Sequence, residues 1–306
     1  MDDTAFQDSR DTWAPAQPPR VANGYVGLHS SLRLTLYRIR SDRWQGPALR
    51  IAVLADPHVC IPWVRPSQIE QIVHQTNDLD ADIILLPGDF LPDGNMICRH
   101  LHADEVIPLF KPLKAPLGVH AILGNHDRGE CRLNWETGGR QNSVINAFAA
   151  NSMNLMLNGS LRLDHHGYPF WLVAMDTQRG NGKRMPGLHD PERAFADVPD
   201  GAPAILLAHE PDYFAEGDSR AILQISGHTH GGQFVLFGRR PMTPSKYGDR
   251  YAIGHISDGP RHLIVSAGLG YSGLPFRFGV PPEITLIELH SSMDNRGEPH
   301  VRDRNS

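Results

Sequence analysis

Hydrophobic order begins at Leu32, Leu34 and Leu36, which alternate with Arg33 and Thr35 at the two-residue period of a half-buried strand. Short apolar runs follow at Ile51–Ala55, Ile83–Leu86 and Val119–Leu123. Each stops at a polar turn containing Gly or Pro, which predicts buried strands. Between the first two runs Ile69, Ile72 and Val73 fall at helical spacing behind Pro66 and Ser67, a helix start. This alternation of strand, helix and strand specifies an α/β layered fold. Farther along, Phe170–Met175, Ala204–Ala208, Ala221–Ser226, Leu263–Ser266 and Ile284–Leu289 read as further strands with fewer helices between them, enough for two facing sheets. The glycine-rich loop Thr177–Gly187 is expected at the surface.

Residues 1–23 are rich in Asp, Gln, Pro and Ala with little periodicity, and 291–306 resemble them. The chain therefore reads as a mobile N-terminal arm, one domain over 24–290 and a mobile tail, with no repeat or linker dividing it. At 306 residues it can bury a sizeable core. A net charge of -5 with 21% charged residues argues against a duplex nucleic-acid binder, which needs a basic footprint. No run approaches the ~20 apolar residues of a membrane-spanning helix. The polar start lacks the basic and apolar regions of an export signal. Cys60, Cys98 and Cys131 are too few for a disulfide framework or a four-cysteine zinc site. A reducing cytoplasmic setting is the expectation, with peripheral contact as the membrane role left open. Oligomeric state is unspecified by the sequence.

Five polar clusters carry the chemistry: Asp56-Pro57-His58, Gly88-Asp89, Gly124-Asn125-His126-Asp127, His209, and Gly227-His228-Thr229-His230. All but one directly follow a predicted strand, and open α/β sheets bind ligands at the carboxyl ends of their strands. Carboxylate, imidazole and neutral amide donors without cysteine form the mixed set that Mn, Fe or Zn ions accept in catalytic sites. Two ligand carboxylates against two divalent cations would leave about two positive charges before water is counted, which favours an anionic phosphate; such paired ions lie ~3.5–4 Å apart. Glycines at 88, 124, 227, 231 and 232 suit a backbone turning sharply beside a metal or phosphate. Alone, Asp56-Pro57-His58 or Gly88-Asp89 would most often be a turn or capped loop. All five clusters in one chain are a far more specific signal.

In this order the clusters resemble the calcineurin-like metallophosphoesterase superfamily over residues 49–290. Gly-His-Thr-His-Gly-Gly-Gln at 227–233, and Gly-Leu-Gly-Tyr-Ser-Gly-Leu-Pro-Phe-Arg-Phe at 268–278 followed by Pro282-Glu283-Ile284, are similar to the bacterial YkuE/YaeI-type branch. The resemblance implies a four-layer αββα sandwich, two mixed sheets flanked by helices with a dimetal site at the sheet edge. It implies that Asp56, His58 and His230 hold one ion, that Asn125, His209 and His228 hold the other, and that Asp89 bridges them. His126 would stabilise charge or protonate the leaving oxygen, with Asp127 orienting its ring.

The expected reaction is hydrolysis of a phosphodiester or phosphomonoester by metal-activated hydroxide. The alternatives are cleavage of a lipid-linked pyrophosphate or phospholipid, and a non-catalytic scaffold, which would be expected to have lost ligands. Arg250 and Arg277, within the Arg- and aromatic-rich segment Phe234–Phe278, are candidate substrate contacts lining a cleft wall. Cys98, His100 and His102 lack a carboxylate partner and read as a loop, Cys60 as a small hydrophobe, and His74, His165 and His166 as structural.

Overall fold

The structure, a computed structural model, describes residues 32–180 and 186–293. Its strands are β1 (Arg33–Ser41), β2 (Leu49–Val53), β3 (Cys60–Ile61), β4 (Ile83–Leu86), β5 (Arg99–His100), β6 (Val119–Ala121) and β7 (Asn154–Leu155). They continue with β8 (Gly159–His165), β9 (Tyr168–Ala174), β10 (Ala204–Leu207), β11 (Leu223–Ser226), β12 (Gly254–Asp258), β13 (Arg261–Val265) and β14 (Glu283–Ser291). One six-stranded sheet runs β1-β14-β2-β4-β6-β7 and a second runs β12-β13-β11-β10-β9-β8. Both are mixed: β2, β4 and β6 are parallel to one another, as are β9, β10, β11 and β13, whereas β14 against β2, β12 against β13 and β8 against β9 are antiparallel.

Side-chain alternation explains the layers. Ile51 and Val53 of β2 point between the sheets with Ile83, Leu85, Ile205, Leu207, Ile225 and Ile287. Ala52 and Leu54 point the other way, into a core with Ile69, Ile72 and Val73 of the helix Pro66–Asn77 and with Val144, Ala147 and Phe148 of the helix Ser143–Ala150. From Ile51 onward the strand thus has two buried faces, which is why the run that starts there is apolar. The second sheet's outer face is covered more thinly, by the short helix Pro191–Ala194 with Phe195 and by the turn Pro211–Glu216. The result is the expected αββα sandwich.

Each run read as a strand contains one. The reading missed β3, β5 and β7, each only two residues long, and the edge strands β8 and β12, whose mixed burial leaves them short on apolar residues. The stretch around His100 read as a loop is in part β5, paired antiparallel with β3. The tail read as starting at 291 begins within β14, which extends to Ser291; the arm 1–23 and residues beyond 293 lie outside the described residues. The loop from Thr177 starts buried rather than at the surface: Glu210 accepts from the Thr177 hydroxyl and from the main-chain N–H groups of Gln178 and Arg179.

Candidate metal centre

β2, β4, β6, β10 and β11 all end at one edge, and the polar residue clusters follow them there. Asp56 and His58 leave β2, Asp89 leaves β4, Asn125 follows β6, His209 follows β10, and His228 and His230 follow β11. Asp56, His58 and His230 form one buried cluster and Asp89, His209 and His228 another, the donor atoms within 4.8 Å of one another in each. Asp89 stands between them: its Oδ2 is 3.5 Å from His58 Nε2 and 3.2 Å from His209 Nε2, while its Oδ1 accepts from the main-chain N–H of His126 at 2.8 Å. Asn125 Oδ1 lies 3.1 Å from His209 Nε2, and the inward nitrogens of His58 and His230 are 3.1 Å apart.

Main-chain carbonyls set the tautomers. His58 Nδ1 donates to Leu91 O at 2.8 Å and His228 Nε2 to Pro244 O at 3.1 Å, leaving the opposite nitrogen of each of these two rings as a lone pair aimed inward, while His209 Nδ1 donates to Pro87 O at 2.7 Å. Burial pulls His58 down to about 4 and His228 and His230 well below the usual histidine range, so these rings are neutral. Burial acts on His209 too, but contact with Asp89 outweighs it and raises that ring. Burial also pushes the Asp56 carboxyl up, to about 7, against the attraction of His209. Two buried carboxylates ringed by imidazole lone pairs and an amide oxygen are a donor set that fits cations.

The backbone around the site is strained. Among the described residues eleven non-glycine positions have positive φ, and Asp56, His58, Asp89, His228 and His230 are five of them. Such conformations are uncommon outside glycine and persist only where the surroundings enforce them. Glycine is enforced at two neighbours: a Cβ on Gly124 would strike Asp89 Oδ1, and one on Gly227 would strike Asp56 Oδ2.

A model of the calcineurin-like phosphoesterase family matches residues 49–232, the span that supplies every residue of both clusters. The chain belongs to that family. The uncharacterized metallophosphoesterase YkuE of Bacillus subtilis (strain 168) is 30% identical over 79% of this chain and 79% of its own length. An Aquifex aeolicus (strain VF5) metallophosphoesterase is 26% identical over 84% and 92% of the two chains. YkoQ of Bacillus subtilis is 27% identical over 79% and 83%. The YkuE-type resemblance seen in the motifs is therefore a match over most of this calcineurin-like phosphoesterase.

Two sequence expectations need correction. Asp127 does not face His126. Its Oδ2 accepts from the N–H groups of Asp89 at 2.7 Å and Gly124 at 2.9 Å, and its Oδ1 from those of Phe90 at 2.8 Å and Leu91 at 3.0 Å. It clamps the loops after β4 and β6 together. The carboxylates beside His126 are Asp93, its oxygen within 4.8 Å of the imidazole, and Glu130, its Oε1 3.7 Å from Nδ1, one helical turn on. Burial pulls His126 towards neutrality, but Asp89, Glu130 and Asp93 outweigh it and hold the imidazole at about 9. Spacing of four residues on a helix was the signal for Glu130.

Arg277 lines no cleft wall. It is 3% exposed, donates to Gly270 O and Ala267 O, and its Nη2 lies 3.0 Å from His230 Nδ1, so it supports a ligand from behind. Arg250 is exposed, its guanidinium 5.2 Å from the Tyr251 ring centroid. The arginine that does reach the metal edge is Arg179, whose Nη1 donates to Pro244 O at 3.0 Å and lies 3.0 Å from His228 Nε2. Sequence reading missed it, having no periodic or motif signal to follow. Cys60 packs in the core with its sulfur 3.5 Å from Met96 Sδ, and His100 and His102 are exposed.

Proposed function

We propose that this calcineurin-like phosphoesterase is a two-metal hydrolase of phosphodiesters or phosphomonoesters. The observation that carries the reading is the position of Asp89 Oδ2 between the two buried clusters, within 3.5 Å of an imidazole of each. Asp56, His58 and His230 would hold one ion and Asn125, His209 and His228 the other, Mn, Fe or Zn by donor type, with Asp89 shared. Bound ions would supply Lewis acidity at the phosphoryl oxygens and acidify a coordinated water. The remaining roles fall to the chain itself. His126 is 17% exposed, its ring centroid 5.1 Å from that of His58 and its Nδ1 turned to Glu130, so Nε2 is the atom that would hand a proton to the leaving oxygen. Arg179 brings a fixed cation to the His228 side, where a phosphate oxygen would meet it. Three unpaired cysteines suit a cytoplasmic setting.

The test is turnover of bis-p-nitrophenyl phosphate and p-nitrophenyl phosphate after chelation and readdition of manganese, with elemental analysis alongside. The chain should lose activity with its ions and regain it with them. Asp89→Ala should lose both ions and roughly 10³-fold or more in rate, since the stabilisation at stake is several kcal/mol and about 1.4 kcal/mol is tenfold. An Asp89→Ala protein with two bound ions and normal turnover overturns the reading.

A further inference from the structure

Beyond the His230 turn the chain does something the metal chemistry does not require. Ten large hydrophobic residues stand exposed among the described residues, and seven of them fall between Leu236 and Phe278. Leu236, Phe237, Leu274, Phe276 and Phe278 lie on two short segments joined side by side: Val235 N–H donates to Phe278 O at 2.7 Å, Phe278 N–H to Gln233 O at 3.0 Å, and the Phe234 and Phe276 rings meet edge to face at 5.0 Å. Scattered exposed hydrophobics are ordinary; a group gathered beside a site is not.

The tip is the most informative part. Leu236 and Arg239 exchange both main-chain hydrogen bonds at 3.0 Å around Phe237-Gly238, a two-residue hairpin in which both central residues have positive φ, 50° and 77°. Such a turn calls for Asn, Asp or Gly at its first central position. Here a phenylalanine takes the disfavoured conformation with its ring wholly in solvent. A projecting tip of this kind fits a soft surface that closes around it, whereas a rigid partner would need a matching pocket.

Charge names the surface. The chain carries a net charge of -5, yet Arg239 of the hairpin and Lys246 and Arg250 of the segment that follows stand exposed. The carboxylates beside them are engaged: Asp249 by the Arg240 main-chain N–H at 3.2 Å and the Thr243 hydroxyl at 2.9 Å, and Asp212 by the Ser245 hydroxyl at 2.6 Å and the Lys246 main-chain N–H at 2.9 Å. An apolar point with an exposed arginine in the same hairpin and further exposed cations on the segment after it matches the headgroup and acyl boundary of an anionic membrane. The segment is also tied to the metal edge: Gln233, three residues past His230, donates to Ser272 O at 2.9 Å and Leu274 O at 3.0 Å.

We propose that the Phe237 hairpin and the Leu274–Phe278 turn dock this protein on an anionic lipid surface, with the metal edge held against the membrane. The inference goes beyond phosphoester hydrolysis and is tested without substrate, so the two stand or fall separately. The experiment is co-sedimentation of the full chain with vesicles of phosphatidylglycerol and phosphatidylcholine, and with phosphatidylcholine alone. Binding is expected to the anionic vesicles and to weaken as salt rises. Phe237→Ser, at a fully exposed position, should weaken it at least tenfold with metal content unchanged, and Arg239→Gln or Lys246→Gln roughly fivefold each. Brominated lipid should quench the added fluorescence of Phe237→Trp. No sedimentation with anionic vesicles, or binding that survives Phe237→Ser combined with Phe276→Ser, overturns the proposal. Self-association of the wild type abolished by those substitutions, without vesicle binding, would make the patch a contact between copies and overturn it equally.

Discussion

The two sheets furnish unequal halves of the edge where the buried Asp and His clusters meet. On the first, Asp56, His58, Asp89, Asn125 and His126 leave β2, β4 and β6 on tight loops, and Asp127 fixes two of those loops through four main-chain N–H groups. On the second, His209, His228 and His230 sit as tightly, but the chain then departs on a long excursion on which Phe237, Tyr247, Phe276 and Phe278 are exposed while Phe234, Tyr251 and Tyr271 are buried. The first half is preorganised for small, hard ligands, where a shift of a fraction of an ångström matters. The second differs in kind: beyond its buried histidines it carries an exposed apolar surface. Substitutions on each side should therefore fail in different ways.

The largest effect beyond loss of Asp89 is expected from Asp127→Asn. The amide keeps one accepting oxygen and turns N–H groups towards the donors the other oxygen served, orphaning two buried N–H groups at about 1–3 kcal/mol each. Stability in urea should fall by that amount, and metal content should fall with it because the Asp89 loop is released. If Asp127 instead merely oriented His126, the variant would keep its stability and ions and lose rate only on substrates with poor leaving groups.

His126→Ala should separate chemistry from binding. Its neighbours Asn125 and Asp89 remain, so both ions should stay, while hydrolysis of an alkyl ester falls ~10²- to 10⁴-fold and that of a nitrophenyl ester falls less. Equal losses on both would assign the imidazole to charge stabilisation alone. Arg277→Met probes the join between the halves. It orphans the carbonyls of Gly270 and Ala267 and strips the support behind His230, so stability should drop by about 1–3 kcal/mol per carbonyl and metal affinity should weaken. Arg250→Ala, on the exposed excursion, should leave both unchanged. Metal titration and urea midpoints of the pair decide it; a Michaelis effect without metal loss in Arg277→Met would return that residue to the substrate cleft.

The same division governs what could be read from sequence. Strands with two buried faces are written as unbroken apolar runs, and a ligand cluster at the end of each is compact in sequence, so the sandwich and the residues that gather at its edge were legible. Contacts set by tertiary approach were not. Arg277 reads as a cleft-wall cation until the loop after β13 brings the carbonyls of Ala267 and Gly270 to its guanidinium. Asp127 sits beside His126 in the chain, yet the helix that starts at Asn125 turns it inward to the N–H groups of another loop. Edge strands β8 and β12, half wet, carried too little pattern to be seen.

Glu130 offers the finest distinction. Its carboxylate is 28% exposed and 3.7 Å from His126 Nδ1, and it helps hold the imidazole at about 9 against burial. A raised pKa keeps the ring protonated at neutral pH, so a general acid of this kind loses rate as pH climbs through that value. Glu130→Gln removes one of the charges that favour the imidazolium. The descending limb of kcat/KM should then move to lower pH, by roughly one unit because the group is partly solvated. The ascending limb and the metal content should not move. An unshifted descending limb would take Glu130 out of the proton relay and leave the protonation of His126 to Asp89 and Asp93.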